Sequence, residues 1–196
     1  MKTPLRFQIT EYDCGTTSLI NALVYLFERE ELPVTLLKSI YRYTLDAEGE
    51  NGIVGEAGTS RNAVEKFTDW IMKYANIHDF NIQCELLEQE KVTKEKIKKC
   101  LSLNGCVLAR CYQDIEHYVL ITKMDDSFAY IFDPYYLEEN YYDQDRQITI
   151  VLNQNFTHNR VVEISRLFSE SHQDFSLMEI EKREVVLMNR VDQTLI

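Results

Sequence analysis

Residues 18–27 read S-L-I-N-A-L-V-Y-L-F and are apolar on nearly every side of a helical turn. A helix without a polar face cannot lie on a surface, so the remaining chain has to enclose it. The charged stretch 28–31 and Pro33 end the run. Ahead of it stands Cys14-Gly15, which puts the cysteine where the helix begins. A helix N-terminus offers a sulfur partial positive charge and free N–H groups, and both favour the thiolate. The buried helix then holds that thiol rigidly. With 196 residues and 45% apolar content there is enough chain to build a substantial core as a single domain over 1–196.

A second helix is expected over 34–45, with Leu36, Leu37, Ile40 and Tyr41 on one face. Residues 47–58 carry Gly49, Gly52, Gly55 and Gly58, four of the six glycines, and read as a loop. It is no phosphate cradle: G-K-[ST] is missing, and Glu48, Glu50 and Glu56 repel phosphate. It is either an ordinary mobile connection or a border of a substrate cleft. Ser60 is placed to cap a helix running to about 74, with Ala63, Phe67, Trp70, Ile71 and Tyr74 inward. A strand over 81–87 and a helix over 93–101 follow, the latter with Lys94, Lys96, Lys98 and Lys99 solvated. Strands are expected over 106–111, 117–123, 128–133, 148–152, 160–164 and 184–189 from β-branched and aromatic content between turn residues. Periodicity leaves 165–179 open between a helix and an irregular excursion. Helices over about 12–102 and an antiparallel sheet over about 103–196 make the class α+β.

Gln8 stands six residues before Cys14, in Q-I-T-E-Y-D-C-G-T-T-S. Its amide can donate to an oxyanion formed when a thiolate attacks a carbonyl. A histidine base and a residue to orient it are then required. His117 opens one expected strand and Asp133 closes the next, and a hairpin turning through 124–127 brings them together. Among the other histidines, His158 is the best substitute base; His78 and His172 lie in polar surroundings. Asp114 is nearer to His117 in sequence but falls in the approach between strands. Asp13 would raise the thiol pKa if it faced inward; it is expected instead to cap the helix or bond neighbouring backbone. Singly, Cys14 reads as a buried thiol and His117 as a sheet histidine; together with Gln8 and Asp133 they read as nucleophile, base and orienter. Cys106, Cys111 and His117 match no zinc spacing, and G-x-S-x-G is missing, so metal and serine chemistry are set aside. The chemistry requires no cofactor.

These motifs resemble the bacteriocin-processing (double-glycine leader) cysteine peptidases in their stand-alone form. The resemblance rests on Gln8, Asp13-Cys14-Gly15, His117-Tyr118-Val119-Leu120 and Asp133-Pro134, and covers 5–27 and 103–135. Thr16 and Thr17 depart from the small residues usual in that family. The resemblance implies a papain-like cysteine proteinase fold and a bacterial peptidase. It casts Cys14 as nucleophile, His117 as base, Asp133 as orienter, and Gln8 with the Cys14 N–H as oxyanion hole. It also implies cleavage after small residues such as a double glycine. Two alternatives stay open: an acyltransferase using the same triad with an amine acceptor, and a catalytically silent peptide-binding module.

The net charge of −11 excludes general nucleic-acid binding and suits a cationic peptide or amide substrate. Residues 134–145, P-Y-Y-L-E-E-N-Y-Y-D-Q-D, are either a solvated loop or a rim that favours cationic groups. The five cysteines are odd in number and form no C-x-x-C, as in reduced thiols. Cys84, Cys100, Cys106 and Cys111 are expected as small core residues, with Cys106 and Cys111 on opposite faces of one strand. No apolar run approaches the roughly 20 residues of a membrane span, and residues 1–7 lack a signal-peptide core, so a cytoplasmic location is expected.

Overall fold

The structure, a computed structural model, describes residues 1–191. Every residue of helix α1 (Cys14–Leu26) is buried except Val24 and Tyr25, as the apolar run requires. Its few polar side chains all find partners. Ser18 Oγ donates to the Tyr118 carbonyl at 2.9 Å, and Thr16 Oγ1 to Thr44 Oγ1 at 2.8 Å. Asn21 accepts from Arg6 N–H at 3.0 Å and donates to Arg6 O at 2.9 Å, binding the N-terminal segment to the helix. Gly15 is needed because a Cβ there would lie 2.7 Å from Thr59 Cβ.

Helices α2 (Val34–Tyr43) and α3 (Arg61–His78) pack with α1 into one core. Tyr41 departs from expectation and faces solvent, while Leu36 and Ile40 carry the buried face. Ser60 caps α3, its hydroxyl accepting from the Ala63 N–H at 3.1 Å. The helix runs one turn beyond 74, because Ala75 continues the buried row of Phe67 and Ile71. Asp79, at φ 52°, ends it.

Among the described residues the sheet has seven strands: β1 (Ile82–Glu88), β2 (Cys106–Gln113), β3 (Ile115–Met124), β4 (Phe128–Phe132), β5 (Ile148–Ile150), β6 (Arg160–Glu163) and β7 (Glu184–Arg190). Every pairing is antiparallel, in the order β1-β7-β2-β3-β4-β6-β5. The class is therefore α+β, but the division at about 102 is not clean. β1 lies inside the expected helical part and joins the sheet through β7, Ile82 opposite Arg190. The expected sheet part extends to 196, of which 192–196 lie outside the described residues.

Both faces of the sheet are covered. Cys106 and Leu108 of β2 meet α1, α2 and α3; Val107, Ala109 and Cys111 face a second core under α4 (Lys94–Ser102). The two cysteines thus take opposite faces, as strand alternation demands. Residues 165–179 contribute the end of one helical turn, α5 (Ile164–Leu167), then irregular chain whose Phe175 and Leu177 fill that second core.

Candidate active site

Cys14 is the first residue of α1 and only 8% exposed. Burial alone would raise its pKa, but a hydrogen bond and charge from His117, with backbone N–H groups of Tyr118 and Gly15, bring it below the ordinary thiol value. The other four cysteines go the opposite way. Burial pushes Cys100 up to about 11 and Cys84, Cys106 and Cys111 further.

His117 is the third residue of β3 and 6% exposed. The β3–β4 pairing ends at Leu120 opposite Phe132, so Asp133 follows β4 on the same pleat face as His117. His117 Nε2 lies 2.8 Å from Asp133 Oδ1. That leaves Nδ1 for the Cys14 sulfur. Burial pulls the imidazole pKa down, but the Asp133 charge and hydrogen bond, with smaller effects of Cys14, raise it to about 10. Each charge thus favours the other, the His117 imidazolium the Cys14 thiolate.

Asp133 is fully buried. Its Oδ1 also accepts from the Tyr135 N–H at 2.9 Å; Oδ2 lies 3.4 Å from Arg160 and 3.5 Å from Gln113 Nε2. Asn159 brackets its backbone, accepting from Asp133 N–H and donating to Asp133 O, both at 2.8 Å. Arg160, Asn159 and Gln113 were not singled out from sequence. The available signal was Arg160 itself, a charge opening an apolar strand whose inward positions need a buried partner. Behind His117, Tyr118 OH donates to Glu184 at 2.7 Å and Arg61 Nε to the same carboxylate at 2.8 Å, joining β3, β7 and α3.

Gln8 donates its backbone N–H to Pro134 O at 2.9 Å and its amide Nε2 to Thr10 O at 2.8 Å. Nε2 carries two protons, and one remains beyond the Thr10 bond. Asp13 does not cap α1 with its side chain. Instead its carboxylate accepts from Thr10 N–H at 2.9 Å, Thr10 Oγ1 at 3.0 Å and Ile9 N–H at 3.3 Å. These turn donors hold it, which meets the other expectation for this residue, backbone contact.

The remaining histidines lie elsewhere, and Asp114 does not pair with His117. His158 bonds Thr157 Oγ1 at 3.0 Å and packs edge-on against Tyr130. His172 pairs with Glu179 at 3.1 Å, and His78 packs on Tyr74. Asp114 is exposed at φ 58° in the turn between β2 and β3.

His117 opens onto a cleft of ≈ 340 Å³ to which Glu11, Asp114, Ile115, Tyr135 and Tyr141 contribute. A larger cleft of ≈ 820 Å³ lies between the 47–58 loop and the β2–β3 turn, with Tyr12, Glu56, Arg61 and Arg110 among its walls. Ile115, 64% exposed, stands at both. The glycine-rich loop thus borders a cleft. The 134–145 segment divides between the two expectations. Tyr135 and Tyr141 reach the His117 cleft, but Tyr142 is buried with its hydroxyl on Asp174, and Asp145 pairs with Arg166 at 2.8 Å. The carboxylates lining that cleft are Glu11 and Asp114 instead.

No protein-family model matches the chain, and no curated protein matches it. Among the described residues no helix is long and apolar enough to cross a membrane.

Proposed function

We propose that this chain is a papain-like cysteine peptidase or amidohydrolase. The observation that carries the reading is the buried relay from Cys14 through His117 to Asp133. In it one thiol of five is held below its ordinary pKa while the rest are pushed up. A nucleophile at the first residue of a buried helix, against a sheet bearing base and orienter, supports the papain-like form of the α+β class. The motif resemblance at Gln8, Cys14, His117 and Asp133 points the same way.

In the proposed reaction the Cys14 thiolate attacks the carbonyl carbon and the C=O electron pair moves onto oxygen. The Cys14 N–H and the second amide proton of Gln8 stabilise that oxyanion. Collapse breaks the C–N bond as His117 gives its proton to the departing amine, leaving a thioester. His117 then takes a proton from water, whose oxygen attacks the thioester and releases Cys14 and a carboxylic acid. Because His117 must reach the leaving nitrogen, the leaving group belongs in the ≈ 340 Å³ cleft beside it. Glu11 and Asp114 would favour a cationic one. An amine acceptor would occupy the same cleft in place of water, giving acyl transfer with the same residues; product masses separate the two outcomes. Peptides with a double glycine at the cleavage point are the first substrates to try.

The test is competitive alkylation. Iodoacetamide near neutral pH, followed by peptide mapping, should modify Cys14 well ahead of Cys84, Cys100, Cys106 and Cys111. Labelling of Cys14 at the same rate as the others would remove the reading.

A further inference from the structure

Arg160 is 1% exposed, and its NH2 group lies 3.4 Å from Asp133 Oδ2. Its other contacts are neutral: NH1 donates to Asn159 O and NH2 to Tyr135 O, both at 3.0 Å, and Nε is buried without a partner. A buried guanidinium is costly to desolvate and contributes little net stability even when paired. Its placement therefore calls for another account. We propose that Arg160 is a positioning residue: by balancing the charge of Asp133 it sets how tightly His117 holds its proton, and so the pH range in which Cys14 and His117 work as a pair. The inference rests on reading Cys14 as nucleophile and His117 as base.

The four groups form a row of alternating sign: Cys14 thiolate, His117 imidazolium, Asp133 carboxylate and Arg160 guanidinium. An unbalanced Asp133, 2.8 Å from the imidazole, would hold the proton that His117 must deliver to a leaving amine. Arg160, on the opposite carboxylate oxygen, offsets part of that attraction and leaves the hydrogen bond intact. Among the described residues Asp133 has ion-pair contacts only with His117 and Arg160. The titratable groups around Asp133 and His117 are Cys14 from α1, Cys111 from β2, Tyr135, Tyr142 and Asp174, with Glu11 and Asp114 along the cleft, and none of these carries positive charge. Gln113 is neutral. Arg160 stays charged because a guanidinium does not deprotonate in proteins. Together with Asn159, which fixes the Asp133 backbone, it also directs Oδ1 at His117.

The test is the full chain with Arg160→Met, Arg160→Gln and Arg160→Lys. Imidazole NMR titration of His117 and the pH profile of Cys14 alkylation are the readouts. Loss of charge in the Met and Gln variants should move the His117 titration upward by about one pH unit, roughly tenfold tighter proton binding. The alkylation profile should follow it. Arg160→Lys keeps the charge and should titrate nearer the wild type than either. Arg160→Gln retains a donor for the Asn159 and Tyr135 carbonyls and is the variant to read if Met at this site does not fold. A cooperatively folded neutral variant that titrates at the wild-type pH, or below it, overturns the proposal, as does a Lys variant shifted as far as Met. Equal alkylation of all five wild-type cysteines instead removes the nucleophile reading, and the His117 titration still reports on Arg160.

Discussion

Gln8 can offer its amide to the site only while the turn between it and Cys14 is held, and Asp13 holds it through Thr10 and Ile9. Gln8→Ala should lower kcat on the order of 100-fold with little change in KM, because the donor matters most once charge develops on the substrate oxygen. Asp13→Ala removes no group from the site, yet should lower kcat about 10-fold by freeing that turn. In the double variant the two losses should be less than additive, since they act through one amide. Full additivity, with circular dichroism unchanged, would separate Asp13 from Gln8. The His117 titration also appears in stability. Its folded pKa is raised from 6.5 to about 10, so its stabilisation is complete below 6.5 and is lost as the pH climbs toward 10. Cys14, with a lowered value, works in the opposite sense. In Cys14→Ala only the histidine contribution remains. That variant should lose melting temperature from pH 6.5 to 10, and adding His117→Phe should flatten the loss.

Ser60 closes the 47–58 loop and starts α3 at once, donating to Asp46 Oδ2 at 2.6 Å and accepting from the Ala63 N–H. Ser60→Ala should cost about 1 kcal/mol, read as a lower urea midpoint at unchanged m-value. An unchanged midpoint would mean Asp46 caps the helix in its place. α1, α3 and the β3–β4 hairpin were readable in the sequence because each has a local signature: an apolar run, a capping serine, and alternation on both sides of a four-residue turn over 124–127. The pairing of β1 with β7 has none, since the two strands meet across about a hundred residues and nothing in either names its partner. The 165–179 stretch was open for a related reason. Phe175 and Met178 take φ of 65° and 60° to turn into the core, so neither helical nor strand periodicity develops. At the site, the juxtaposition of Cys14, His117 and Asp133 could be read from motif, whereas Arg160 and Asn159 act through Asp133 and acquire meaning only when β6 is laid beside β4.

A net charge of −11 surrounds a cleft whose carboxylates are Glu11 and Asp114. Basic peptides should therefore show the higher kcat/KM at low salt, with the advantage shrinking as the Debye length falls to about 3 Å at 1 M. Neutralising Glu11 and Asp114 together should abolish most of that bias, while Asp143→Asn and Asp145→Asn should not. A charge preference insensitive to salt would mean that contact chemistry, not long-range attraction, chooses the substrate. The sheet order also sets a schedule. β2 is hydrogen-bonded on one side to β3, which carries His117, and on the other to β7, the last strand described. During synthesis α1 and β3 leave the ribosome well before β7 does, so β1 and the outer edge of β2 stay without their partner until β7 emerges. A growing chain thus exposes unpaired strand edges on β1 and β2, and the seven-stranded sheet becomes one body only when its last described strand arrives.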